Sequence, residues 1–266
     1  MPRLLILGGT AEAARLARRL AETNPTLDIV TSLAGRTTAP IGLPGTVRIG
    51  GFGGAAGLES YLRAEGVDAV IDATHPFAAR ISAAAVTACA ATGLPLLALV
   101  RPPWPRVEGD RWIEAESMAE AARILPSLGR RALLAIGRQE LGAFADLNKV
   151  WLLVRLRARE ALALPDHRVV LGHGPFRVEA EAALLREHAI EVVVTKQSGG
   201  TATYAKIAAA RALALPVLMI RRPQPPSAVE AVADVEAAAA WVGEVSGGRA
   251  LSGKFPVTPP ASPVPP

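Results

Sequence analysis

LLILGGTAEA, residues 4–13, changes character halfway along. Its opening LLIL is apolar without alternation, which fits a strand buried on both faces of a sheet. Gly8 and Gly9 end that strand, and Thr10, Ala11 and Glu12 open the helical pattern TAEAARLARRLAE. A strand that enters a helix through so short a turn is the repeating piece of a parallel α/β sheet. The turn leaves the first backbone N–H groups of the helix, and the positive end of its dipole, facing whatever lies beyond the strand. Gly8, Gly9, Thr10, Ala11 and Glu12 therefore read as a phosphate cradle. They read equally as a tight βα turn with Thr10 as N-cap, and the full G-x-G-x-x-G fingerprint is absent.

The alternation continues outward. LDIVTSL, TVRI, DAVIDA and LPLLALV are strand patterns, separated by the helical AAGLESYLRAEG and PFAARISAAAVTACAAT. RPPWPRVEGDR follows as a crossing segment whose prolines exclude helix and central strand alike. The rhythm then returns with RALLAI, a short helix after Gly137, VWLLVRL, RVVLG, RVEAEAALLREHA, EVVVT, TYAKIAAARALA and PVLMI, closed by a final helix over AVEAVADVEAAAAWVGEV. A constant offset of 121 aligns Gly51–Pro105 with Gly172–Pro226 without a gap, placing Thr74 on Thr195, His75 on Lys196 and Arg101 on Arg222. The predicted fold class is α/β, with two Rossmann-like parallel-sheet domains facing a central cleft. Their expected bounds are 1–101 for a nucleotide-binding domain, 102–112 for the crossing segment and 113–243 for a substrate domain. Gly, Ser and Pro dominate the last residues, 244–266, which are expected to be a disordered tail.

Composition narrows the ligand. The chain has 266 residues, half of them hydrophobic, a formal charge of +5 and only 4% aromatics. Its basic balance suits an anion, but dispersed arginines and scarce aromatics argue against nucleic acid and for a small polyanion. The first apolar run is too short for a signal peptide or a membrane span, so no membrane partner and a cytoplasmic location are expected. The single cysteine, Cys89, lies in a small-residue helix and reads as a buried thiol. His167 and His173 lack a second ligand set at metal spacing, so no metal is assigned.

The remaining candidates sit where strands end, the edge at which open parallel sheets bind ligands. After the second strand, Ser32 and Arg36 offer a hydroxyl and a cation where an NAD site would place an acid, which suits the 2′-phosphate of NADPH. Gly51 and Gly53 in GGFGG permit close backbone approach, or simply form a flexible turn. DATHPF brings Asp72, Thr74 and His75 to the next strand end, where His75 reads as a proton donor, a polar contact or the cap of the helix beginning at Pro76. In the second half Gly137 takes the place of Gly8, and Arg138 stands where the first half has Gly9, favouring a carboxylate over a second dinucleotide. Lys196, Ser198 and Gly199 join Arg138, with Tyr204, Arg101 and Arg222 as neighbours. The Tyr-x-x-x-Lys, Walker A, HExxH and GxSxG signatures are missing.

ILGGTAEA, DATHPFAARIS and VTKQSGG followed by AAARALALPVLMIRRP resemble, in order and spacing, the precorrin-6A reductase family of corrin-ring biosynthesis, over residues 3–223. The resemblance implies hydride reduction of one carbon–carbon double bond in a partly built tetrapyrrole, precorrin-6A, giving precorrin-6B. It implies that Gly9–Glu12, Ser32 and Arg36 hold NADPH, that Asp72–His75 position the nicotinamide, and that Arg138 and Lys196 meet the substrate's acetate and propionate arms. From the residues alone, a non-enzymatic two-domain nucleotide- or anion-binding protein and a nucleotide-sugar transferase stay open.

Overall fold

The computed structural model describes residues 1–34, 42–158, 161–172, 174–224 and 229–246. Arg3–Leu7 form β1, buried from Leu4 onward, and feed α1 at Ala11–Thr23. Ala13, Leu16, Ala17 and Leu20 make the buried stripe of α1, while Arg15, Arg18 and Arg19 take its solvated face. β2 at Asp28–Leu33 and β3 at Thr46–Ile49 follow, then α2 at Ala55–Ala64, β4 at Ala69–Asp72, α3 at Ala79–Thr92 and β5 at Leu96–Leu99. Alternate residues of β1 serve opposite cores. Leu4 and Ile6 pack with the α1 stripe, and Leu5 and Leu7 with Leu58 and Leu62 of α2 and Ala85, Ala88 and Cys89 of α3. Each such leucine contributes roughly 1.5–3 kcal/mol by leaving water.

The chain divides into two compact units, Met1–Arg101 with the chain from Gln224 onward, and Pro102–Pro223. Within the second lie β6 at Trp112–Ala115, α4 at Met118–Ile124, β7 at Arg131–Ala135, β8 at Trp151–Leu156, β9 at His167–Leu171, α5 at Val178–Glu187, β10 at Val192–Lys196, α6 at Ala205–Ala212 and β11 at Val217–Ile220. β12 at Glu230–Val232 and α7 at Val235–Ser246 are the last of the described elements. Each unit holds one six-stranded sheet, ordered β12-β5-β4-β1-β2-β3 in the first and β6-β11-β10-β7-β8-β9 in the second, and every pairing is parallel. The strand order reverses beside β1 and β7, so the loops after β1 and β4, and after β7 and β10, diverge at the carboxyl edge.

Several expectations need correction. The final segment does not close the second unit: β12 pairs with β5, Ala231 beside Ala98, and Ala238, Trp241 and Val242 of α7 fill the core under α1. A single helix over 228–245 is therefore replaced by a strand and a helix, and that helix runs to Ser246, into the segment expected to be a tail. The sixth place in the second sheet goes instead to β6, which directly follows the proline-rich crossing. β6 and α4 are additions to the sequence reading. α4 carries a capping signal, Ser117 accepting from the N–H of Glu120 at 3.1 Å. α3 begins at Ala79, not Pro76, because His75–Ala78 form a turn closed by Ala78 N–H to His75 O at 2.7 Å. The rest of the expected tail lies outside the described residues. No helix among those described is long and apolar enough to cross a membrane.

Candidate active site

The turn after β1 is built to leave donors exposed. Gly8 N–H extends the β1–β2 ladder by donating to Ser32 O at 2.9 Å. Gly9 has φ +108° with nothing within 4 Å of a built Cβ, so backbone conformation, not crowding, demands glycine there. Thr10 caps α1: its Oγ1 accepts from Ala13 N–H at 3.1 Å and donates to Ala73 O at 2.7 Å, tying the turn to the end of β4. The N–H groups of Gly9, Thr10, Ala11 and Glu12 donate to no acceptor among the described residues. These donors open a full-length helix, the arrangement that receives a phosphate. The Glu12 carboxylate in that first turn is neutralised by Arg101, just beyond β5, at 2.8 Å, with Arg15 at 3.6 Å.

Farther along the edge, Ser32 is the penultimate residue of β2 and is buried. Arg36 lies outside the described residues. The cation found beside Ser32 is one the sequence reading missed, Arg48 of β3, which is the ladder partner of Ser32. Its Nη1 donates to Gly50 O at 2.6 Å and Ser32 Oγ at 3.3 Å, its Nη2 donates to Gly51 O at 2.8 Å, and its Cζ lies 3.8 Å from the Phe52 ring centroid. Gly51 thus contributes a carbonyl to this bracket, and Gly53, at φ +79°, belongs to the turn into α2. The signal was present in TVRI, a strand too short to show which face its arginine takes.

At the end of β4, Asp72 Oδ1 accepts from Thr74 N–H at 3.0 Å and Thr74 Oγ1 at 2.6 Å. His75 Nδ1 accepts from Phe77 N–H at 3.2 Å, so the ring proton sits on Nε2 and makes that nitrogen the donor. The helix-cap reading of His75 is overturned, since the N-cap of α3 is Ala78.

In the second unit the ladder corrects the internal alignment. Val70 N–H donates to Pro95 O, and Val193 N–H to Pro216 O, so with Pro95 matched to Pro216, Val70 matches Val193 and His75 matches Ser198, not Lys196. The crossover through α6 is two residues shorter than that through α3, since Val70 pairs with Leu96 and Val193 with Val217. Alanine-rich helices hide such a gap. The same ladder pairs Leu7 with Asp72 and Ala135 with Thr195, so Gly137 takes the place of Gly9, and Arg138 that of Thr10. Glu140 then corresponds to Glu12, and it too is neutralised, by Lys196 at 3.0 Å.

The turn after β7 enters a 3-10 helix, Arg138–Phe144, and lacks the α-helical dipole of the first unit. Arg138 is exposed at its start. The turn after β10 is pinned from beneath. Gln197 exchanges hydrogen bonds with Trp104, its Oε1 accepting from Trp104 N–H at 3.0 Å and its Nε2 donating to Trp104 O at 3.1 Å. Arg222, expected to meet substrate, donates to the carbonyls of Gln197, Ser198 and Pro102 at 2.6–3.1 Å. Gly199, at φ +67°, passes so close to Pro102 O that a Cβ there would clash with it. Tyr204 is likewise committed: its hydroxyl accepts from Arg211 at 2.6 Å and its ring lies against Trp104. Both were expected on the ligand side, and their side chains brace the loop because cations and hydroxyls at a strand end also satisfy buried carbonyls.

A family model described as precorrin-6x reductase CbiJ/CobK matches residues 3–243. The precorrin-6A reductase of Rhodococcus erythropolis is 53% identical over 92% of this chain and 99% of its own length. That of Rhodobacter capsulatus is 48% identical, covering 92% and 97%. A solved structure titled CobK precorrin-6A reductase superimposes with a TM-score of 0.86 at 48% identity, over 92% of this chain and 97% of that one. A cobalt-precorrin-6A reductase from Salmonella typhimurium is more distant, 30% identical over 84% of this chain and 88% of its own.

Proposed function

The chain belongs to the precorrin-6x reductase CbiJ/CobK family and is an oxidoreductase acting on a carbon–carbon double bond; on that premise we propose that it reduces precorrin-6A to precorrin-6B with NADPH. Family membership displaces the binding-protein and sugar-transferase alternatives. The more similar relatives are named for precorrin-6A and the more distant ones for its cobalt form, which supports the metal-free macrocycle as substrate.

The observation that carries the cofactor assignment is the run of undonated N–H groups from Gly9 to Glu12 at the start of α1. They fit a pyrophosphate by charge and direction, and Gly9 leaves room for it. When bound, NADPH supplies the hydride. The protein's task is then alignment and charge placement. Gly8–Glu12 fix the phosphates, Ser32 with Arg36 or Arg48 meets the adenosine ribose, and Gly51 and Gly53 let the backbone approach it. Asp72, oriented by Thr74, and His75, donating from Nε2, lie at the strand end assigned to the nicotinamide. In the second unit Arg138, Lys196 and the Ser198–Gly199 turn recognise the carboxylate arms of the tetrapyrrole. Tyr204 and Arg222 hold that turn in shape. An electron-poor conjugated ring is its own electrophile, so proton delivery after hydride transfer needs no buried acid–base pair. A cytoplasmic location fits a biosynthetic reductase with no described helix long and apolar enough to cross a membrane.

The test is anaerobic mixing of the protein with NADPH and metal-free precorrin-6A, following cofactor oxidation and the macrocycle spectrum together. Coupled changes, faster with NADPH than with NADH, are expected. Cofactor binding without turnover on this substrate, and turnover on the cobalt form, would reassign the substrate.

A further inference from the structure

We propose that Arg48 is the residue that selects NADPH over NADH, by receiving the 2′-phosphate of the adenosine ribose. The proposal rests on the cofactor reading above. In open α/β sheets with this strand order, the adenosine ribose lies at the end of the second strand. Arg48 reaches that point from the neighbouring strand, its Nη1 at 3.3 Å from Ser32 Oγ.

The guanidinium is already oriented. Phe52 supports one face at 3.8 Å, and the carbonyls of Gly50 and Gly51 fix two of its nitrogens. Its acceptors are a hydroxyl and two carbonyls, all neutral, and no carboxylate pairs with it among the described residues. Nε–H and one Nη2–H remain without a protein acceptor there. A rigid cation with two donors to spare suits a phosphate.

The second unit supplies the contrast. In the second unit an arginine at a different ladder position, Arg155 of β8, which corresponds to Ser32 and not to Arg48, lies over Phe176, 4.4 Å from its centroid. There Glu181 of α5 accepts from Arg155 at 2.8 Å, the two side chains being 4% and 10% exposed. The buried carboxylate cancels the charge in the unit that has no α-helical phosphate turn. In the unit that has one, the charge is kept.

The experiment measures dissociation constants of NADPH, NADH and adenosine 5′-diphosphate for the wild type and for Arg48→Gln, Arg48→Lys and Arg36→Ala. Arg48→Gln is expected to weaken NADPH by about 10- to 100-fold, the worth of a charge-assisted hydrogen bond, while NADH changes by no more than about twofold. Arg48→Lys keeps the charge but not the fork and falls between. Equal weakening of both dinucleotides would show that Arg48 only braces the Gly50–Gly51 turn, and would overturn the proposal. So would loss of discrimination in Arg36→Ala with none in Arg48→Gln. If Arg48→Gln binds nothing, adenosine 5′-diphosphate included, the NADPH-to-NADH ratio of Arg48→Lys decides by the same criterion. A wild type that binds NADH as tightly as NADPH would instead sink the cofactor reading itself.

Discussion

Glu12 places a carboxylate in the first turn of the helix to which the proposal assigns a pyrophosphate, and Arg101 and Arg15 stand against its charge among the described residues. Arg101→Ala is therefore expected to raise the dissociation constant for NADPH by about tenfold, and a second change, Glu12→Gln, to recover most of it. Fluorescence titration of the reduced cofactor reads both; failure of the double variant to recover would mean that Arg101 acts some other way. Cys89 offers a cleaner titration. Burial pushes its thiol from 9.0 up to about 12, so the native protein keeps it protonated where an unfolded chain ionises. The folded pKa is raised, so stability is intact below pH 9 and declines as pH rises toward 12. Replacing Cys89 with Ala should flatten that decline in urea titrations. A disulfide reagent at neutral pH should label the thiol only after denaturation.

At the level of single elements, the turn after β10 shows how a polar strand end is held in shape. Gln197, Arg222 and Trp104 satisfy its backbone from below, and Gly199 lets the chain pass over Pro102. Gly199→Ala should cost about 1–3 kcal/mol from its positive φ alone, with the contact to Pro102 O adding to it. Denaturant melts check the stability loss, and precorrin-6A affinity should fall while NADPH affinity holds. The glycines, the lysine and the polar break of this turn were legible in the sequence, because a buried strand cannot continue through them. The jobs of Arg222 and Tyr204 were not, since a cation beside a strand end looks the same whether it meets a substrate or a carbonyl. β6 and β12 were hidden for a related reason. WIEA follows a proline-rich run and EAV sits inside an alanine-rich one, and neither is long enough to establish a period.

For the whole molecule, the consequence of β12 and α7 is that the first unit is not finished until the chain has passed through the second one. Trp241 lies in the same core as Leu16 and Leu20 of α1. Trp241→Ala is expected to cost about 3–5 kcal/mol and to lower the melting transition that NADPH stabilises. Calorimetry with and without cofactor would show it; an effect confined to a transition insensitive to NADPH would contradict the assignment of α7. The sequence by itself determined the parallel α/β class, the duplicated plan, the glycine turn into a helix at Gly8–Glu12 and the polar strand ends, because these depend on neighbours along the chain: apolar runs, glycine turns and helical periodicity. The tertiary structure decided which sheet receives the last strand, that His75 corresponds to Ser198, and that Arg48 stands beside Ser32. Those depend on hydrogen-bond register between strands distant in sequence, where one two-residue gap in an alanine-rich crossover moves every later correspondence without disturbing the pattern of apolar residues.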